Sequence, residues 1–394
     1  MTKLEQLLAQ YCPNGVEYIQ LNTICEIYDG THQTPQYTDS GVKFVSVENI
    51  GALYETTKYI SKEAYGKYKI KPQLNDVLMT RIGSIGVCTV VDRTEDLAYY
   101  VSLALLRPNQ NVLNSKYLKY VIESKHGRKE LYKRTLLNAV PIKVNMGDIG
   151  KIIIPVPPLS VQEEIVRILD ELTEKTDKLI SELTAELDER KKQYEYYKRQ
   201  ILLFDNPNTQ WVTLGDIGKV SMCKRIMKSE TSPNGDIPFY KIGTFGCQAN
   251  AYISKETFEA YKEKYSYPKK GDILISAAGT IGRTVIFDGQ PAYFQDSNIV
   301  WIANDESKVL NCFLSYYYQT QPWQISTGGT ISRLYNDNIS SAKIPLISKE
   351  EQLKIVSIIE KCETVFSNYT NSIKEEITAR KQQYEYYRNK LLTF

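Results

Sequence analysis

Arg190-KKQYEYYKRQILL-Phe204 recurs as Arg380-KQQYEYYRNKLLT-Phe394, at an offset of 190 residues and at the end of the 394-residue chain. The same offset holds without a gap back to Ile154-Pro155 and Ile344-Pro345. Chance does not readily produce such a register, and similarity at a fixed period is the sign of an internal repeat. The sequence therefore contains one module in two copies.

The segments that precede these repeats match more loosely. Asp76-VLMTRIGSI-Gly86 resembles Asp272-ILISAAGTI-Gly282, with an offset of 196, as expected of one fold with varying loops. Short β-rich runs such as Val42-KFVS-Val47 predict strands, because Gly, Pro or Asp bound them. Ser115-KYLKYVIES-Lys125 and Ser307-KVLNCFLSYYY-Gln319 predict helices that begin with an N-cap serine. Each half is therefore predicted to be a mixed α and β (α+β) domain, whose topology stays open.

Each module ends in a segment with the pattern of a coiled-coil helix. Pro and Gly are absent from Ser160 to Phe204, and apolar residues recur there at steps of three and four, up to Tyr194 and Tyr197. One long helix cannot bury such a stripe alone, so we expect the two copies to pack on each other. Packed antiparallel, they would separate two similar globular domains related by a pseudo-twofold axis. The predicted boundaries are 1–155 for the first domain, 156–204 for the central helix, 205–345 for the second domain and 346–394 for the C-terminal helix.

The composition limits the classes of function. Hydrophobic residues make up 42% and charged residues 24%, as in ordinary soluble globular proteins. No apolar run approaches the ~20 residues of a membrane span, and the N-terminus lacks a secretory pattern, so we expect a cytoplasmic protein without a membrane partner. Seven cysteines without a C-x-x-C pair, and two histidines, favour neither a disulfide framework nor a metal site. The net charge of +3 neither indicates nor excludes nucleic-acid binding.

The usual signatures of catalysis are missing from the sequence. It contains no Walker A pattern, no G-x-G-x-x-G opening a helix and no H-E-x-x-H. Val156-PP-Leu159 superficially resembles the motif of amino-methyltransferases, but it lacks the polar residue that would hold the target amine. A duplicated chain without such signatures is expected to bind rather than to react. We therefore predict no catalytic residue, no metal and no cofactor.

The whole chain resembles the specificity subunits of type I restriction–modification systems. The resemblance rests on the duplication, on the order domain–helix–domain–helix, and on Ile154-PVPPLSVQEE-Ile165, which is similar to the family's linker of P-x-P-P-L followed by Q-x-x-I. Asn138-AVPIKVNMGDIGK-Ile152 and its counterpart Gly329-TISRLYNDNISSAK-Ile344 resemble the family's domain ending. Tyr28-DGTHQTPQYTDSGVKFVSVEN-Ile50 resembles the opening of one class of its target-recognition domains.

The second copy departs from the family's pattern in two places. Ile347-Ser348-Lys349 replaces the P-P-L element, and Met222-CKRIMKS-Glu230 stands where the first copy has the G-T-H-x-T-P element. The first departure weakens the interpretation of this linker as a hinge. Because of the second departure, the two domains are expected to read different sequences.

The resemblance implies a non-catalytic subunit that binds double-stranded DNA. Each domain would read one half of a split, asymmetric site, and the helices would set the unread spacer. The subunit would recruit two modification subunits, which methylate adenine, and restriction subunits, which translocate DNA and cleave it. Physical considerations agree, since two different readers at a fixed separation suit a bipartite site. A methyltransferase that must extrude a base also gains from a partner that holds the duplex.

Candidate DNA contacts lie in corresponding loops of the two domains. The loop at 31–37 is rich in base-edge donors and acceptors, although a turn that merely closes two strands would look similar. Lys and Arg in the second domain suit phosphates. The two G-x-I-G loops could approach phosphates, or could be tight turns that need glycine. A lone arginine could equally be a solvated surface residue. The candidates are Thr31, His32, Gln33, Thr34, Tyr37, Arg81, Ser84, Lys143, Lys224, Arg225, Lys228, Thr280, Arg283 and Arg333.

The Q-Y-E-Y-Y clusters of the long helices allow two interpretations. They are either solvated helix ends with aromatic packing, or docking surfaces for a partner subunit, because Tyr196 and Tyr386 lie off the predicted seam. The candidate subunit contacts are Arg190, Tyr194, Tyr196, Tyr197, Arg380, Tyr384, Tyr386 and Tyr387. A different class of function stays open for the whole chain: a scaffold whose paired helices bridge proteins without reading DNA. A complete restriction enzyme in one chain is disfavoured, because methyltransferase motifs are absent.

Overall fold

The computed structural model describes residues 2–205, 207–324 and 333–394. The chain divides into two compact units, one made of Met1–Thr184 with Lys374–Phe394 and the other of Ala185–Ile373. Each unit contains one globular domain together with parts of both long helices. The predicted domain ending at 329–344 lies partly outside the described residues.

The globular domain of the first unit is built from short strands and short helices, and it leads into a helix of 43 residues. Its elements are α1 (Lys3–Tyr11), β1 (Tyr18–Gln20), α2 (Leu21–Ile24), β2 (Cys25–Asp29), β3 (Val42–Val45), β4 (Tyr59–Ile60), α3 (Lys62–Gly66), β5 (Val77–Thr80), β6 (Cys88–Val90), β7 (Leu97–Tyr99), β8 (Leu103–Pro108), α4 (Ser115–Glu123), α5 (Lys125–Tyr132), β9 (Thr135–Leu136), β10 (Lys143–Val144), α6 (Met146–Ile149), β11 (Ile153–Pro155) and α7 (Leu159–Ile201).

Two sheets form the body of this domain. One has the order β2-β8-β5-β6, and the other the order β4-β3-β7, in which β3 and β7 run parallel. Strand β5 is buried along its whole length, as its unbroken run of Val, Leu, Met and Thr suggests. A small pair, β1 with β11, closes the domain, and the separate hairpin β9–β10 projects beside the larger sheet.

The second unit repeats this architecture with different residues. Its elements are β12 (Trp211–Thr213), β13 (Gly218–Ser221), β14 (Ile237–Tyr240), β15 (Tyr252–Ile253), α8 (Lys255–Lys264), β16 (Ile273–Ser276), β17 (Thr284–Ile286), β18 (Tyr293–Phe294), β19 (Ile299–Asn304), α9 (Asn311–Tyr317), α10 (Asn336–Ser340), β20 (Lys343–Pro345) and α11 (Lys349–Leu391). The sheet orders β13-β19-β16-β17 and β15-β14-β18 match those of the first unit strand for strand, and β14 and β18 are again parallel. The predicted fold class, two similar α+β domains with long helices, is confirmed.

The long helices α7 and α11 pack antiparallel within each unit. In the first unit Thr173 Oγ1 lies 3.0 Å from the hydroxyl of Tyr384, while the earlier Leu169 shares a core with the later Leu392. In the second unit Tyr194 stacks on Phe366 with ring centroids 4.9 Å apart. The mutual packing predicted from the apolar stripe is therefore present in both units.

The buried stripe of these helices differs from the predicted seam at one end. The periodicity puts Tyr197 on the seam, and the repeat puts its counterpart Tyr387 there as well, but the two residues are 55% and 42% exposed. The buried face instead follows Tyr194, Lys198 and Leu202 at steps of four. The reason is a third helix: α9 approaches α7, and Lys198 Nζ lies 5.8 Å from the ring centre of Tyr316.

The predicted N-cap serines are wrong in both domains. Helix α4 begins at Ser115, but Asn114 is its N-cap and accepts hydrogen bonds from the backbone of Lys116 and Tyr117. An asparagine side chain is as good a cap as serine, and it stands one residue earlier. Helix α9 begins at Asn311, four residues after Ser307, and Glu306 accepts the backbone N–H of Asn311.

Among the helices of the described residues, none combines the length and the apolarity needed to cross a membrane. Over the same residues, no group of three or more His, Cys, Asp or Glu side chains could hold a metal ion.

Candidate functional site

Loops that are distant in the sequence meet at one edge of the first domain, around Asp29 at the end of β2. We call residues 29–37, 81–87, 99–102 and 137–144 the first loop cluster. The carboxylate of Asp29 lies 3.0 Å from Arg81 Nη2 and 2.9 Å from His32 Nε2. Arg81 Nη1 also donates to the carbonyl of Val144 at 3.2 Å. One ion pair thus connects three of the four segments.

The G-x-I-G loop of this cluster is a turn that requires glycine. Gly83 and Gly86 have φ values of +79° and +84°, which side chains rarely adopt. A Cβ on Gly86 would also lie 2.5 Å from Leu131 Cδ1. The turn interpretation of this loop is therefore supported, and the turn leaves Ser84 exposed at its tip.

Most of the predicted contacts of the first domain face solvent. His32, Gln33, Thr34, Ser84 and Lys143 are exposed. Thr31 is partly buried and bridges to Tyr100, while Tyr37 is exposed with its ring edge-on to Phe44 at 5.8 Å. Arg81 differs, because it is only 6% exposed and its guanidinium already binds Asp29. Its position suits holding the loops together rather than meeting a ligand.

Equivalent segments meet in the second domain. We call residues 222–228, 277–283, 295–298 and 333–334 the second loop cluster. Arg225 Nε lies 2.8 Å from Asp296 Oδ2, and Arg333 Nη2 donates to the carbonyl of Ser297 at 3.1 Å. Backbone bonds from Ala277 N to Asn298 O and from Leu334 N to Ala277 O complete the set, both below 3 Å.

The second loop cluster is more basic than the first. It contains Asp296 as its single acidic residue. Its basic residues are Lys224, Arg225, Lys228, Arg283 and Arg333. The first four of these are exposed, as is Thr280 at the tip of the G-T-I-G loop. Arg283 Nη1 donates to the carbonyl of Phe245 at 2.8 Å, and this bond fixes one side of the guanidinium.

Sequence reasoning missed one basic neighbour of this cluster. The ammonium groups of Lys224 and Lys264 lie 5.3 and 5.6 Å from the ring centre of Tyr265. Both lysines are exposed, and in the part of the chain that the structure describes neither is paired with a carboxylate. Two like charges over one ring form a local positive site, to which an anion would be attracted. The alternation of Lys and Tyr at 261–267 was the available signal.

The centre of the cluster differs between the domains in a compensated way. In the first domain Asp29 pairs with Ala104 of β8. In the second domain Ser221, the residue before Met222, pairs with Trp301 of β19. Met222 therefore occupies the position that corresponds to Asp29. Alignment of the two G-x-I-G loops places Ala277 where the first domain has Arg81. An ion pair in one domain is therefore replaced by two apolar residues in the other.

The six tyrosines of the Q-Y-E-Y-Y clusters fall into two groups. Tyr194 and Tyr384 are partly buried and make contacts inside the protein, such as the 2.9 Å hydrogen bond from the Tyr194 hydroxyl to Glu363. Burial, followed by the bond to Glu363, raises the pKa of Tyr194 well above its usual value. The remaining four tyrosines are exposed in edge-to-face pairs, with ring centroids 5.5 Å apart in one pair and 5.3 Å in the other. They are Tyr196 with Tyr197, and Tyr386 with Tyr387.

Arg190 and Arg380, the two arginines among the candidate subunit contacts, bind mainly within their own helices. Arg190 lies near Glu186 and Gln193, and its guanidinium sits 5.6 Å from the ring centre of Tyr369. Arg380 binds Glu376 at 2.7 Å and Gln383 at 2.9 Å. Both side chains are 40% to 49% exposed, so part of each guanidinium remains accessible.

A joint between each domain and its long helices was not visible in the sequence. In the second unit Glu363 accepts hydrogen bonds from the hydroxyls of Tyr194 and Tyr316, both at 2.9 Å. In the first unit Tyr120, which corresponds to Tyr316, donates to Asp170 at 2.7 Å. A tyrosine on α4 in the first domain and on α9 in the second thus fixes each domain to the helix pair of its unit.

The chain matches a known family in both of its halves. The model of the type I restriction modification DNA specificity domain matches residues 13–189 and 207–379. A putative type I restriction enzyme specificity subunit of Haemophilus influenzae is 54% identical over 256 residues, which are 64% of this chain and 66% of that protein. The EcoR124I/EcoR124II specificity subunit of Escherichia coli is 32% identical over 266 residues, 62% of this chain and 63% of that protein. The matches thus span slightly less than two thirds of these relatives.

Solved structures share the fold at low sequence identity. A chain from a study of complex assembly and conformational transition in a type I restriction–modification system has a TM-score of 0.75 at 16% identity, and the match covers 96% of this chain and 98% of that one. The HsdS subunit of Thermoanaerobacter tengcongensis has a TM-score of 0.56 at 16% identity, over 96% and 97% of the two chains. Because two successive matches of the family model together cover most of its length, the chain belongs to the type I restriction–modification DNA specificity family.

Proposed function

We propose that this chain reads a bipartite, asymmetric site in double-stranded DNA as the specificity subunit of a type I restriction–modification complex. One observation carries the proposal: the two domains hold matching loop clusters on matching sheets, yet the clusters differ in chemistry. The first offers amide, imidazole and hydroxyl groups, whereas the second is dominated by lysine and arginine. Two different readers on one scaffold suit a site whose halves differ in sequence.

We propose residues 1–155 and 205–345 as the two target-recognition domains. The segments 156–204 and 346–394 then form the spacer element. Each long helix has 43 residues and is about 65 Å long at ~1.5 Å per residue. An element of fixed residue number gives a fixed length, so the number of unread base pairs follows from the helices.

Within the loop clusters, exposure divides the work. His32, Gln33 and Thr34 present hydrogen-bonding groups that match base edges in the major groove, with Thr31, Tyr37 and Ser84 beside them. The basic residues neutralise phosphates and fix the register of the protein on the duplex. These are Lys143 in the first domain and Lys224, Arg225, Lys228, Arg283 and Arg333 in the second, with Thr280 beside them. Arg81 is buried and holds the loops of the first cluster together through its ion pair with Asp29.

The partners follow from the family. Two modification subunits methylate adenine on the bound DNA, and restriction subunits translocate and cleave it, in the cytoplasm. This chain contributes recognition and no chemistry, and it needs no cofactor of its own. The exposed pairs Tyr196–Tyr197 and Tyr386–Tyr387 occupy equivalent places in the repeat, which suits two copies of one partner. Tyrosine gives contact area and a polar tip, as interfaces favour.

Single-molecule sequencing of host DNA tests the function directly. A strain that carries this gene with its modification subunit should show N6-methyladenine at one split motif, and deletion of the gene should abolish that motif. Exchange of residues 205–345 for those of another specificity subunit should change one half of the motif and leave the other. A methylation pattern that is the same with and without the gene contradicts DNA reading. In that case, an unchanged partner assembly would favour a protein-bridging scaffold.

A further inference from the structure

The first loop cluster contains an apolar knob as well as its polar groups. The hairpin β9–β10 carries aliphatic side chains on its connecting segment, and these face solvent. Leu137 is 50% exposed, Val140 is fully exposed, and Ile142 is also exposed. Single exposed aliphatic residues are common, but several on one short hairpin are unusual and point to a contact.

The knob is held in place by backbone hydrogen bonds. Gly83 N donates to Ile142 O at 2.9 Å, and Val144 N donates to Arg81 O at 2.9 Å. The hairpin is closed by the pairs Leu136 with Lys143 and Thr135 with Val144. The base of the hairpin, including Ile142, therefore has a defined position next to the Ser84 turn, and it carries the segment with Leu137 and Val140. An ordered apolar surface loses little conformational entropy when it binds.

The surroundings of the knob suit a nucleic acid. Lys143 on the same hairpin is exposed, and the single acidic residue of the cluster, Asp29, is neutralised by Arg81. No exposed carboxylate of the cluster would repel phosphates. The neighbouring His32 and Gln33 are hydrogen-bonding groups of the kind that reads the major groove. In that groove thymine is distinguished by its C5-methyl group, which is read by apolar contact.

We propose that the hairpin knob of Leu137, Val140 and Ile142 contacts thymine methyl groups in the half-site that the first domain reads. The proposal rests on the proposed function and goes beyond it, because it assigns a base preference to residues without hydrogen-bonding side chains. The knob gives specificity for T·A pairs, whereas His32 and Gln33 read hydrogen-bonding edges beside it.

Deoxyuridine substitution tests the contact, since uracil in place of thymine removes only the methyl group. Once the motif is known, the complex of this chain with its modification subunits is titrated with duplexes in which each thymine of the half-site is replaced in turn. At one or two positions the wild-type complex should bind about three- to fivefold more weakly, because about one buried methyl group is lost. Val140→Ser should weaken binding to the duplex that keeps all its thymines by roughly five- to tenfold. Replacement of thymine by uracil at the sensitive positions should not weaken the binding of this variant any further.

Controls separate the knob from folding and from the general function. Leu74, also 50% exposed in the first domain but outside the loop cluster, provides the matched variant Leu74→Ser, which should bind as the wild type does. Unfolding temperatures of both variants should be unchanged, since both side chains are exposed. Wild-type affinity of Val140→Ser, or a uracil effect that persists in it, overturns the proposal while leaving the proposed function intact. Loss of site preference in the wild-type complex would instead contradict the proposed function.

Discussion

Gln162 and Gln352 make the same three hydrogen bonds in their respective units. The Gln162 side chain accepts the backbone N–H of Asn114 at 2.9 Å and donates to the carbonyls of Val112 and Pro157 at 2.8 and 2.7 Å. Gln352 accepts the N–H of Leu310 and donates to the carbonyls of Lys308 and Ile347, at 2.8 to 3.0 Å. Both side chains are fully buried. One amide therefore satisfies the backbone on both sides of the junction between domain and long helix.

Replacement of this amide should loosen the junction. Gln162→Leu keeps the volume but leaves one buried N–H and two buried carbonyls without their partner, so we expect the free energy of unfolding of the first unit to fall by about 2–4 kcal/mol. Hydrogen exchange should accelerate at Asn114, and Gln352→Leu should accelerate exchange at Leu310 instead. Gln382→Leu, at an exposed site of α11, is the control. Unchanged exchange at Asn114 would show that the amide has no such role.

The ion pair between Asp29 and Arg81 within the first loop cluster should behave as a unit. Arg81→Ala removes the guanidinium that binds Asp29 and leaves the carboxylate with His32 as its remaining basic neighbour, and we expect a loss of about 2 kcal/mol in the free energy of unfolding. In the second domain, Met222 and Ala277 occupy the two positions that correspond to Asp29 and Arg81. The double variant Asp29→Met/Arg81→Ala should therefore recover much of the loss.

The measurement is a double-mutant cycle by denaturant unfolding, with Asp29→Met as the remaining corner. Residues in direct contact show coupling energies of about 0.5–3 kcal/mol, so the effects of the two single substitutions should not add. Simple additivity would mean that the two loops are held together by the backbone bonds alone.

The sequence could predict what repeats locally and little of what joins distant segments. The strands at 42–45 and 77–80 and both long helices are visible in periodicity and in the repeat. The partnership of Asp29 with Arg81, 52 residues apart, depends on the order β2-β8-β5-β6, which no local pattern specifies. The seam failed at Tyr197 for a similar reason, since the third helix that turns the buried face comes from the globular domain. The polar loops were found, because composition marks them, but their meeting was not.

The N-terminal helix should be attached in a pH-dependent manner. Glu164 lies 2.8 Å from Lys3 and 2.9 Å from Arg167, and its hydrogen bonds to Arg167 and then Lys3 lower its pKa to about 2 from 4.5. A lowered pKa stabilises the folded state above pH 4.5, and this contribution disappears as the pH falls towards 2. Glu164→Gln should therefore cost about 1 kcal/mol at pH 7, a modest value because both cations are largely exposed.

The difference in unfolding free energy between the wild type and Glu164→Gln should shrink below pH 4.5 and vanish near pH 2. Glu163→Gln, at the exposed neighbouring position, should leave stability unchanged throughout. A difference that is constant with pH would show that Glu164 acts by packing rather than by charge.

The exposed pairs Tyr196–Tyr197 and Tyr386–Tyr387 should bind the modification subunits. Tyr196→Ser or Tyr386→Ser alone should leave a complex with one modification subunit, and the double substitution should leave none, as read by native mass spectrometry. Tyrosine is enriched among the few interface residues whose truncation costs about 2 kcal/mol or more, which is enough to release a partner. Tyr132, exposed in the first domain, provides the control variant Tyr132→Ser. Retention of both subunits by the double variant would place the docking surface elsewhere.

The basic loop of the second domain should act on affinity rather than on sequence preference. Lys224→Ala should weaken binding to the specific site and to unrelated duplexes by the same factor, because phosphate contacts carry no sequence information. The slope of log K against log salt should become shallower by about 0.9 for the lost contact. Lys264→Ala should do the same, since both ammonium groups lie over Tyr265. Lys255→Ala, at the opposite end of α8, should leave the slope unchanged. Gln33→Ala should instead relax the preference for one base position and leave the salt slope unchanged. If Lys224→Ala did not alter the slope, Lys224 would not be a phosphate contact.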